Sequence, residues 1–318
     1  MKTATTLSAN QPIESKSNGI RSNGPSAVPK VSIMIVSFNQ KDFVAEAIES
    51  AVNQDYDNLE VVISDDGSTD GTAEIIAQLQ SPYSERLIAL LNKDNVGITR
   101  NCNRALRACS GQFIAFLGGD DVLLPGKVPA QVDWFKQDKR RVLCGHAIEH
   151  ILANGSRMPN SPSPVLQEGT GPEELIRHGS PLPAQSIMVR ASAIPPHGFD
   201  EAISIASDLL FWIEVLSGGG IYGHVDGVFA KYRDHENNVS KQYFAMLKDI
   251  ELTYQIVANR YPRYRSLCME SIVKNVIYFG GVRCLSCGDN QAARRKFLET
   301  IRQKPLFVKA WLRLLQTF

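Results

Sequence analysis

The fold of this chain is decided by the stretch Val31-Ser-Ile-Met-Ile-Val-Ser-Phe-Asn39. Residues 31–37 form a nearly continuous apolar run, which is typical of a strand buried on both faces of a parallel sheet. The spacing of apolar residues then changes and predicts a helix over 43–52. A buried strand that leads into a helix is the first half of a βαβ unit.

The same alternation continues as far as residue 121. Strands are predicted over 59–64, 86–91 and 112–117, and helices over 72–79 and 99–108. The pattern predicts an α/β fold with a Rossmann-like, mainly parallel sheet that is flanked by helices. In such sheets the ligand binds beyond the carboxyl ends of the strands.

Three regions are predicted along the chain. Residues 1–30 are rich in Ser, Asn, Thr, Pro and Gly and predict a flexible tail, which an α/β domain over 31–240 follows. Within that domain, six prolines in 153–186 predict a long loop that either lies over the ligand site or is partly mobile. Further elements of the domain are strands over 186–189 and 221–232 and a helix over 208–216. Residues 241–318 are predicted as an all-α appendix that ends in a tetratricopeptide-like hairpin, with helices over 243–260, 265–286, 289–302 and 305–317.

Composition narrows the class of protein. The chain has 318 residues, 43% of them hydrophobic and 21% charged, and its net charge is +1. These values are typical of a soluble globular protein and give no reason to expect nucleic-acid binding. Residues 263–318 hold 11 Lys and Arg against three Asp and Glu, a net of +8, so the other 262 residues carry −7. The basic end is either a partner or membrane surface, or a solvated helical face.

Six cysteines in a chain of this length do not make a disulfide framework. Cys284 and Cys287 form one C-x-x-C, but no second pair completes a zinc site. The pair is interpreted as small buried residues on a helix, with metal or redox chemistry as the alternative. Reduced thiols predict a cytoplasmic protein. No apolar run approaches ~18 residues and no secretory signal is recognised, so no membrane span is predicted.

Carboxylates follow two separate predicted strands, where a ligand would bind. Asp65 and Asp66 follow the second strand, and Asp120 and Asp121 follow the fourth. The first strand ends in Ser37-Phe-Asn-Gln40, not in the G-x-G-x-x-G of a dinucleotide-binding turn, and no P-loop occurs. Such carboxylates can hold a hydrated divalent cation together with a diphosphate, or accept hydrogen bonds from a nucleobase or sugar hydroxyl.

Together these segments resemble glycosyltransferase family 2, in order and spacing, over residues 31–240. One segment alone would give little support to the resemblance, because surface turns often contain an Asp-Asp pair. The segments that carry the resemblance are Val31-Ser-Ile-Met-Ile-Val-Ser-Phe-Asn39, Val61-Val-Ile-Ser-Asp-Asp-Gly-Ser-Thr-Asp70, Asn95-Val-Gly97 with Asn103, Gly111-Gln-Phe-Ile-Ala-Phe-Leu-Gly-Gly-Asp-Asp121, Gly198-Phe-Asp200, Ser207-Asp208, and Tyr232-Arg-x-His235-x-x-Asn238-x-Ser240. The resemblance implies a GT-A fold that binds a nucleotide-sugar.

The resemblance also implies roles for the residues that follow the first two strands. Ser37, Phe38 and Asn39 are expected at the donor nucleotide, with Phe38 near the base. Asp66, together with Asp65, is expected to bind uracil or ribose, although Asp65 could equally be a turn residue. A UDP-sugar is favoured as donor over a dTDP- or GDP-sugar.

Five further residues are assigned from the second half of the resemblance. Asp120 matches the last acid of the family's D-x-D and would coordinate Mn²⁺ or Mg²⁺ on the diphosphate, with Asp121 supporting the loop. His235 matches a histidine near the metal, and Arg100 is assigned to the diphosphate. Asp208 matches the catalytic base, with a helix N-cap as the alternative.

The resemblance implies an inverting, metal-dependent, non-processive glycosyltransferase. Its acceptor would be a glycan or a lipid-linked sugar of bacterial surface polysaccharide synthesis, in the cytoplasm or peripherally at the inner face of the cell membrane. The chain departs from the family's pattern at three positions. An acid is usual at Gly118 and at Ser207, and an arginine is usual at Cys102. A second hypothesis is therefore a catalytically eroded nucleotide-sugar-binding or scaffold protein. A nucleotidyltransferase is a weaker third, because residues 37–39 lack its basic, Gly-rich loop.

Overall fold

The computed structural model describes residues 28–159, 167–179 and 182–318. Most of the predicted N-terminal tail, residues 1–27, therefore lies outside the described residues. The strands are β1 (Val31–Ser37), β2 (Leu59–Asp65), β3 (Leu87–Leu91), β4 (Phe113–Gly118), β5 (Val122–Leu123), β6 (Arg141–Leu152), β7 (Gly169–Thr170), β8 (Met188–Arg190) and β9 (Ile221–Asp234). The helices are α1 (Val44–Val52), α2 (Thr72–Gln80), α3 (Ile98–Ala108), α4 (Lys127–Gln137), α5 (Glu173–His178), α6 (Ser207–Ser217), α7 (Tyr243–Arg260), α8 (Arg265–Ser271), α9 (Phe279–Ser286), α10 (Asn290–Gln303) and α11 (Val308–Leu315).

The strands form one mixed sheet in the order β3-β2-β1-β4-β8-β6-β9-β5, with β7 paired to β9. The first four strands of this order are parallel, as predicted, and β8 is antiparallel to both of its neighbours. Ser37 of β1 lies in register with Asp65 of β2, and Val36 lies in register with Gly118 of β4. The polar turns after these three strands consequently meet at one edge of the sheet.

Both faces of β1 are buried, which confirms the interpretation of its apolar run. Ile33 and Ile35 belong to a hydrophobic cluster that includes Ile48 of α1. Met34, which points to the other face, belongs to a second cluster with Phe116 of β4 and Trp212 of α6. Adjacent side chains of a strand point to opposite faces, so a strand between two helical layers is apolar at most of its positions.

The C-terminal helices belong to two different cores. Tyr254 of α7 and Cys268 of α8 lie in the same cluster as Trp212, so these helices complete one face of the sheet. A separate cluster, which includes Phe297 and Leu314, holds α9, α10 and α11 together. The predicted boundary at 240/241 therefore does not mark the edge of the sheet's core. A π-helical segment, Ile272–Tyr278, joins α8 to α9, and none of the described helices is long and apolar enough to cross a membrane.

The prediction of a long loop over 153–186 is wrong for one part of the residues that the structure describes. This part contains β7, α5 and a 3-10 turn, Ala184–Ser186. Helix α5 forms because Leu175 and Ile176 are buried in the core. Residues 160–166 and 180–181 of the predicted loop lie outside the described residues. All six cysteines are free thiols, with Cys284 buried and Cys287 exposed.

Candidate active site

A cavity of about 760 Å³ opens at the sheet edge where β1, β2 and β4 end. Its wall includes eight of the ten residues predicted for the site. These are Ser37, Phe38, Asn39, Asp66, Asp120, Asp121, Asp208 and His235. Ser37 and His235, which are 198 positions apart in the chain, thus share one cavity, because the parallel strands β1 and β9 direct their C-terminal turns to the same edge.

Asp65 does not reach this cavity, and its predicted contact with uracil or ribose is corrected. The side chain is fully buried, and its carboxylate accepts hydrogen bonds from the hydroxyl of Ser37 (3.0 Å) and from the hydroxyl (2.6 Å) and backbone N–H (2.9 Å) of Ser68. Asp65 therefore forms the turn after β2. The same turn is tied to β1 by Asn39, which has a positive φ of 52° and accepts a hydrogen bond from Thr69 N–H.

Asp66, the next residue, faces the cavity and organises the loop before α3. Its carboxylate accepts hydrogen bonds from the backbone N–H groups of Val96 (2.9 Å) and Gly97 (3.0 Å) and from the side-chain amide of Asn92 (3.2 Å). Consecutive residues point to opposite sides of an extended chain, which separates the roles of Asp65 and Asp66. Asp66 is held in one orientation, with lone pairs left to accept further hydrogen bonds.

Asp120 and His235 lie side by side at the cavity as two potential metal ligands. Asp120 Oδ2 and His235 Nε2 lie 2.9 Å apart, although the residues are 115 positions apart in the chain. The imidazole packs against the ring of Phe43, with centroids 5.0 Å apart. The pairing fixes the directions of a carboxylate oxygen and an imidazole nitrogen, both of which are ligands of Mn²⁺ and similar ions.

Asp121 joins the loop after β4 to the end of β9. Its Oδ1 accepts a hydrogen bond from the backbone N–H of Arg233 (2.9 Å). Burial, and then the neighbouring charge of Asp120, raise the pKa of Asp121 well above its ordinary value. This residue therefore joins the loop to β9, and its environment disfavours the ionised form.

Arg233 was missed as a site residue, although it lies within one of the quoted motifs. Its guanidinium is almost fully buried, donates to the backbone carbonyls of Asp120 (2.8 Å) and Ala153 (3.2 Å), and forms an ion pair with Glu46. The guanidinium carbon also lies 4.9 Å from the ring centre of Phe43. Arg233 thus fixes both the backbone of Asp120 and the ring that supports His235. A buried cation cannot be recognised from one sequence, because most arginines are exposed.

Asp208 lies in the first turn of α6 and faces the cavity. Burial raises the pKa of its carboxyl group, partly opposed by a hydrogen bond from Leu209 N–H to Asp208 Oδ1 (2.8 Å). One turn further along, Trp212 is fully buried against Phe116, with ring centroids 4.9 Å apart. This packing holds the helix that presents Asp208.

Arg100 is not brought to the cavity. It lies on the exposed face of α3, where its Nε is 3.1 Å from a carboxylate oxygen of Glu201. The cavity wall here is Cys102, whose thiol pKa is raised to about 12 by burial. A neutral thiol cannot offset the charge of a diphosphate, so the assignment of Arg100 to the diphosphate is corrected without a replacement on this helix.

The side chains at the cavity that can ligate a metal suit a divalent cation that is bound by few protein ligands. Within 28–159, 167–179 and 182–318, no group of three or more His, Cys, Asp or Glu side chains is arranged to hold a metal ion. Asp120 and His235 provide two ligands of suitable chemistry, and Mg²⁺ and Mn²⁺ sites at diphosphates commonly take the remaining ligands from phosphate oxygens and water.

Comparison with known proteins identifies the family. The family model described as "Glycosyl transferase family 2" matches residues 32–192, which is half of the chain. The chain belongs to glycosyltransferase family 2. An uncharacterized glycosyltransferase of Haemophilus influenzae is 27% identical over 68% of this chain and 68% of its own. The putative teichuronic acid biosynthesis glycosyltransferase TuaG of Bacillus subtilis is 23% identical over 78% of this chain and 96% of its own. Other curated glycosyltransferases are matched over less than two thirds of their length.

Solved structures of this fold agree with the architecture. TarS 1-349 of S. aureus, in complex with UDP-GlcNAc, superposes with a TM-score of 0.60 and 18% identity, over 91% of this chain and 89% of its own. The mannosyltransferase PcManGT of Pyrobaculum calidifontis, in complex with GDP-Man and Mn²⁺, superposes with a TM-score of 0.58 and 15% identity, over 91% and 84% of the two chains. The predicted GT-A fold is confirmed, including a C-terminal helical region.

Proposed function

We propose that this glycosyltransferase is an inverting, metal-dependent, non-processive enzyme that uses Asp208 as its base. The observation that carries the proposal is the shared cavity, which places Asp208 with Asp66, Asp120 and His235. A base is needed where the acceptor hydroxyl attacks, and a diphosphate site is needed where the leaving group departs. The cavity has residues of both kinds in its wall.

The proposed steps follow from the residues in that wall. Asp208 removes the proton of an acceptor hydroxyl as its oxygen attacks the anomeric carbon, and the bond to the nucleoside diphosphate breaks on the opposite side. In-line attack inverts the anomeric centre. A Mn²⁺ or Mg²⁺ ion on Asp120 and His235 would supply electrostatic stabilisation of the leaving diphosphate. The raised pKa of Asp208 suits a base, because a carboxylate with a higher pKa takes up a proton more readily.

The proposed donor is a nucleotide-sugar, with a UDP-sugar favoured and a GDP- or dTDP-sugar as alternatives. The structural neighbours were solved with UDP-GlcNAc and with GDP-Man, which supports the class but does not choose among its members. Phe38 is 45% exposed at the cavity and can stack on a base. Asp66 can accept a hydrogen bond from the N–H of a uracil or from a ribose hydroxyl.

The proposed acceptor is a glycan or lipid-linked sugar in bacterial polysaccharide synthesis. The teichuronic acid assignment in the name of TuaG supports this class of product. A lipid-linked acceptor would place the enzyme in the cytoplasm, at the inner face of the membrane. This is a proposal about the protein's location, and it rests on the acceptor class and on the basic C-terminal helices.

The second hypothesis, an eroded nucleotide-sugar-binding protein, started from the glycine at the first position of the D-x-D. A Cβ atom added to Gly118 would lie 2.6 Å from Asp120 Oδ1 and 3.3 Å from Asp121 Oδ2. The space that an acid would need is therefore filled by the two carboxylates that follow. This packing favours a metal-binding loop that is rearranged over a loop that has lost its metal. It therefore favours an active glycosyltransferase over the eroded binding protein.

One experiment separates the two hypotheses. Binding of UDP is measured by calorimetry with and without Mn²⁺, and hydrolysis of a panel of UDP-, GDP- and dTDP-sugars is measured in the wild type and in Asp208→Asn. We expect Mn²⁺ to strengthen UDP binding, and Asp208→Asn to bind UDP normally while turnover falls about 10²–10⁴-fold, the usual contribution of a general base. Full turnover by Asp208→Asn would refute the base assignment. UDP binding without hydrolysis of any donor would favour the eroded protein, and no UDP binding would reject both.

A further inference from the structure

The last helix exposes a row of large apolar side chains to solvent. Val308 is 64% exposed, Trp311 47%, Leu312 59% and Leu315 70%, and Leu306 just before the helix is 94% exposed. In sequence the four helical residues are spaced i, i+3, i+4 and i+7, so they lie on one face of α11. We call these five residues the apolar stripe. Single exposed apolar residues are ordinary on soluble proteins, but a continuous row marks an interaction surface.

The apolar stripe is not a side effect of a loosely packed helix. The opposite face of α11 packs into the third hydrophobic cluster through Ala310 and Leu314, against Phe297 of α10. The end of the helix is held by Arg294, whose guanidinium donates to the backbone carbonyl of Thr317 (2.7 Å). The helix is therefore already formed and oriented, and a partner would not have to fold it on binding.

The charges beside the stripe indicate what it meets. Residues 300–318 contain four basic residues and no acid. Lys309 and Arg313 lie on α11 itself, and neither forms an ion pair within the described parts of the chain. Arg302 and Lys304 precede the helix, and Lys304 pairs with Glu270 at 3.3 Å on the surface. Lys309 and Arg313 are spaced i, i+4, so they lie together on one side of the apolar stripe. A helix with an apolar face and cations beside it is suited to the boundary between the headgroups and acyl chains of an anionic membrane.

We propose that the apolar stripe docks this enzyme on an anionic lipid surface, with Lys309 and Arg313 at the lipid phosphates. Trp311 suits such a boundary, because its indole ring is amphipathic, and its N–H is already satisfied by the carbonyl of Pro305 (2.9 Å). The inference deepens the proposed function, since a lipid-linked acceptor would be presented at the same surface. The stripe is separate from the cavity: none of its residues is in the cavity wall.

The test is flotation of the full chain with vesicles, in parallel with UDP binding. We compare vesicles of phosphatidylglycerol and phosphatidylcholine in equal amounts with vesicles of phosphatidylcholine alone. Leu312→Glu/Leu315→Glu removes apolar contact and adds two negative charges at exposed positions. Ile88→Glu is the matched control, because Ile88 is 40% exposed on β3, outside the C-terminal helices.

We expect the wild type and Ile88→Glu to float with the anionic vesicles only, and the double variant to lose at least tenfold in vesicle affinity. Lys309→Gln/Arg313→Gln should lower the affinity for anionic vesicles roughly fivefold for each charge removed. Added salt should lower the affinity of the wild type in the same way, because it screens these charges. Equal flotation of the double variant and the wild type, or no flotation of the wild type, would overturn the inference. So would a wild-type dimer in solution that Leu312→Glu/Leu315→Glu converts to monomer, which would make the stripe a contact between copies. UDP binding should be the same in all variants, so failure of the nucleotide site and failure of the membrane surface are distinguishable.

Discussion

Arg233→Met tests whether the buried guanidinium holds the metal loop in place. Methionine keeps much of the length of the side chain but removes its charge and its donors. The carbonyls of Asp120 and Ala153 would each lose a hydrogen bond, and Phe43 would lose its contact with the cation. A hydrogen bond from a charged donor contributes about 1.5 kcal/mol and a buried cation–π contact about 2 kcal/mol, while removal of the buried charge recovers about 2 kcal/mol of desolvation.

The ion pair with Glu46 adds little to this sum. The Glu46 side chain is 57% exposed, so its carboxylate recovers contact with water when the arginine is removed. We therefore expect Arg233→Met to lower the free energy of unfolding by about 3 kcal/mol, measured by urea denaturation. Since Asp120 loses its backbone support, the variant should also bind UDP with a weaker dependence on Mn²⁺.

Arg100→Met is the matched control. Arg100 also pairs with a glutamate, Glu201, but its side chain is 64% exposed. Its replacement should change the free energy of unfolding by less than about 0.5 kcal/mol and leave Mn²⁺-dependent UDP binding unaltered. The reasoning is refuted if the two variants lose equal stability. It is also refuted if Arg233→Met is destabilised while the effect of Mn²⁺ on UDP binding is unchanged, since Arg233 would then be structural only.

Two further predictions concern proton binding by buried carboxyl groups. The base Asp208 must be ionised to act and burial raises its pKa, so kcat/KM should fall as pH is lowered through a pKa above about 4; a profile that stays flat down to about pH 4 would count against Asp208. The folded protein binds a proton at Asp121 more tightly than the unfolded chain does, so this residue should cost stability increasingly as pH rises from about 4. Asp121→Asn keeps an oxygen to accept from Arg233 N–H, and urea denaturation at several pH values should show it gaining stability relative to the wild type towards neutral pH; a constant difference would contradict the assignment.

The elements from β1 to β4 could be predicted closely because each of them has one clear period. Strand β1 is apolar at nearly every position, since both of its faces are covered, and α1 has apolar residues at helical spacing. Helix α4 was not predicted, because its buried face contains Lys127 and Gln131. Lys127 Nζ lies 2.7 Å from Gln131 Oε1 and 3.0 Å from His146 Nε2. Such a buried polar group hides the apolar period of the helix from the sequence.

The candidate site shows the same division. The sequence indicates which turns carry the site, because strand ends and acidic residues are visible in it. It does not distinguish Asp65 from Asp66, or show that Arg100 turns outward to Glu201, because these outcomes depend on side-chain direction and on partners far along the chain. Arg233 could not be assigned from the sequence, because its burial depends on Glu46, Asp120 and Ala153, which lie far from it along the chain.

The shared core of the sheet and the helices α7 and α8 has a consequence for synthesis on the ribosome. One face of the sheet is closed by residues as late as Ile277, about 65 positions after Trp212. At roughly 5–20 residues per second, the aromatic face around Trp212 and Phe116 waits about 3–13 s for the helices that cover it. During that interval the nascent chain exposes an apolar surface that can aggregate. The yield of folded protein should therefore depend on chaperones that bind apolar segments as they emerge.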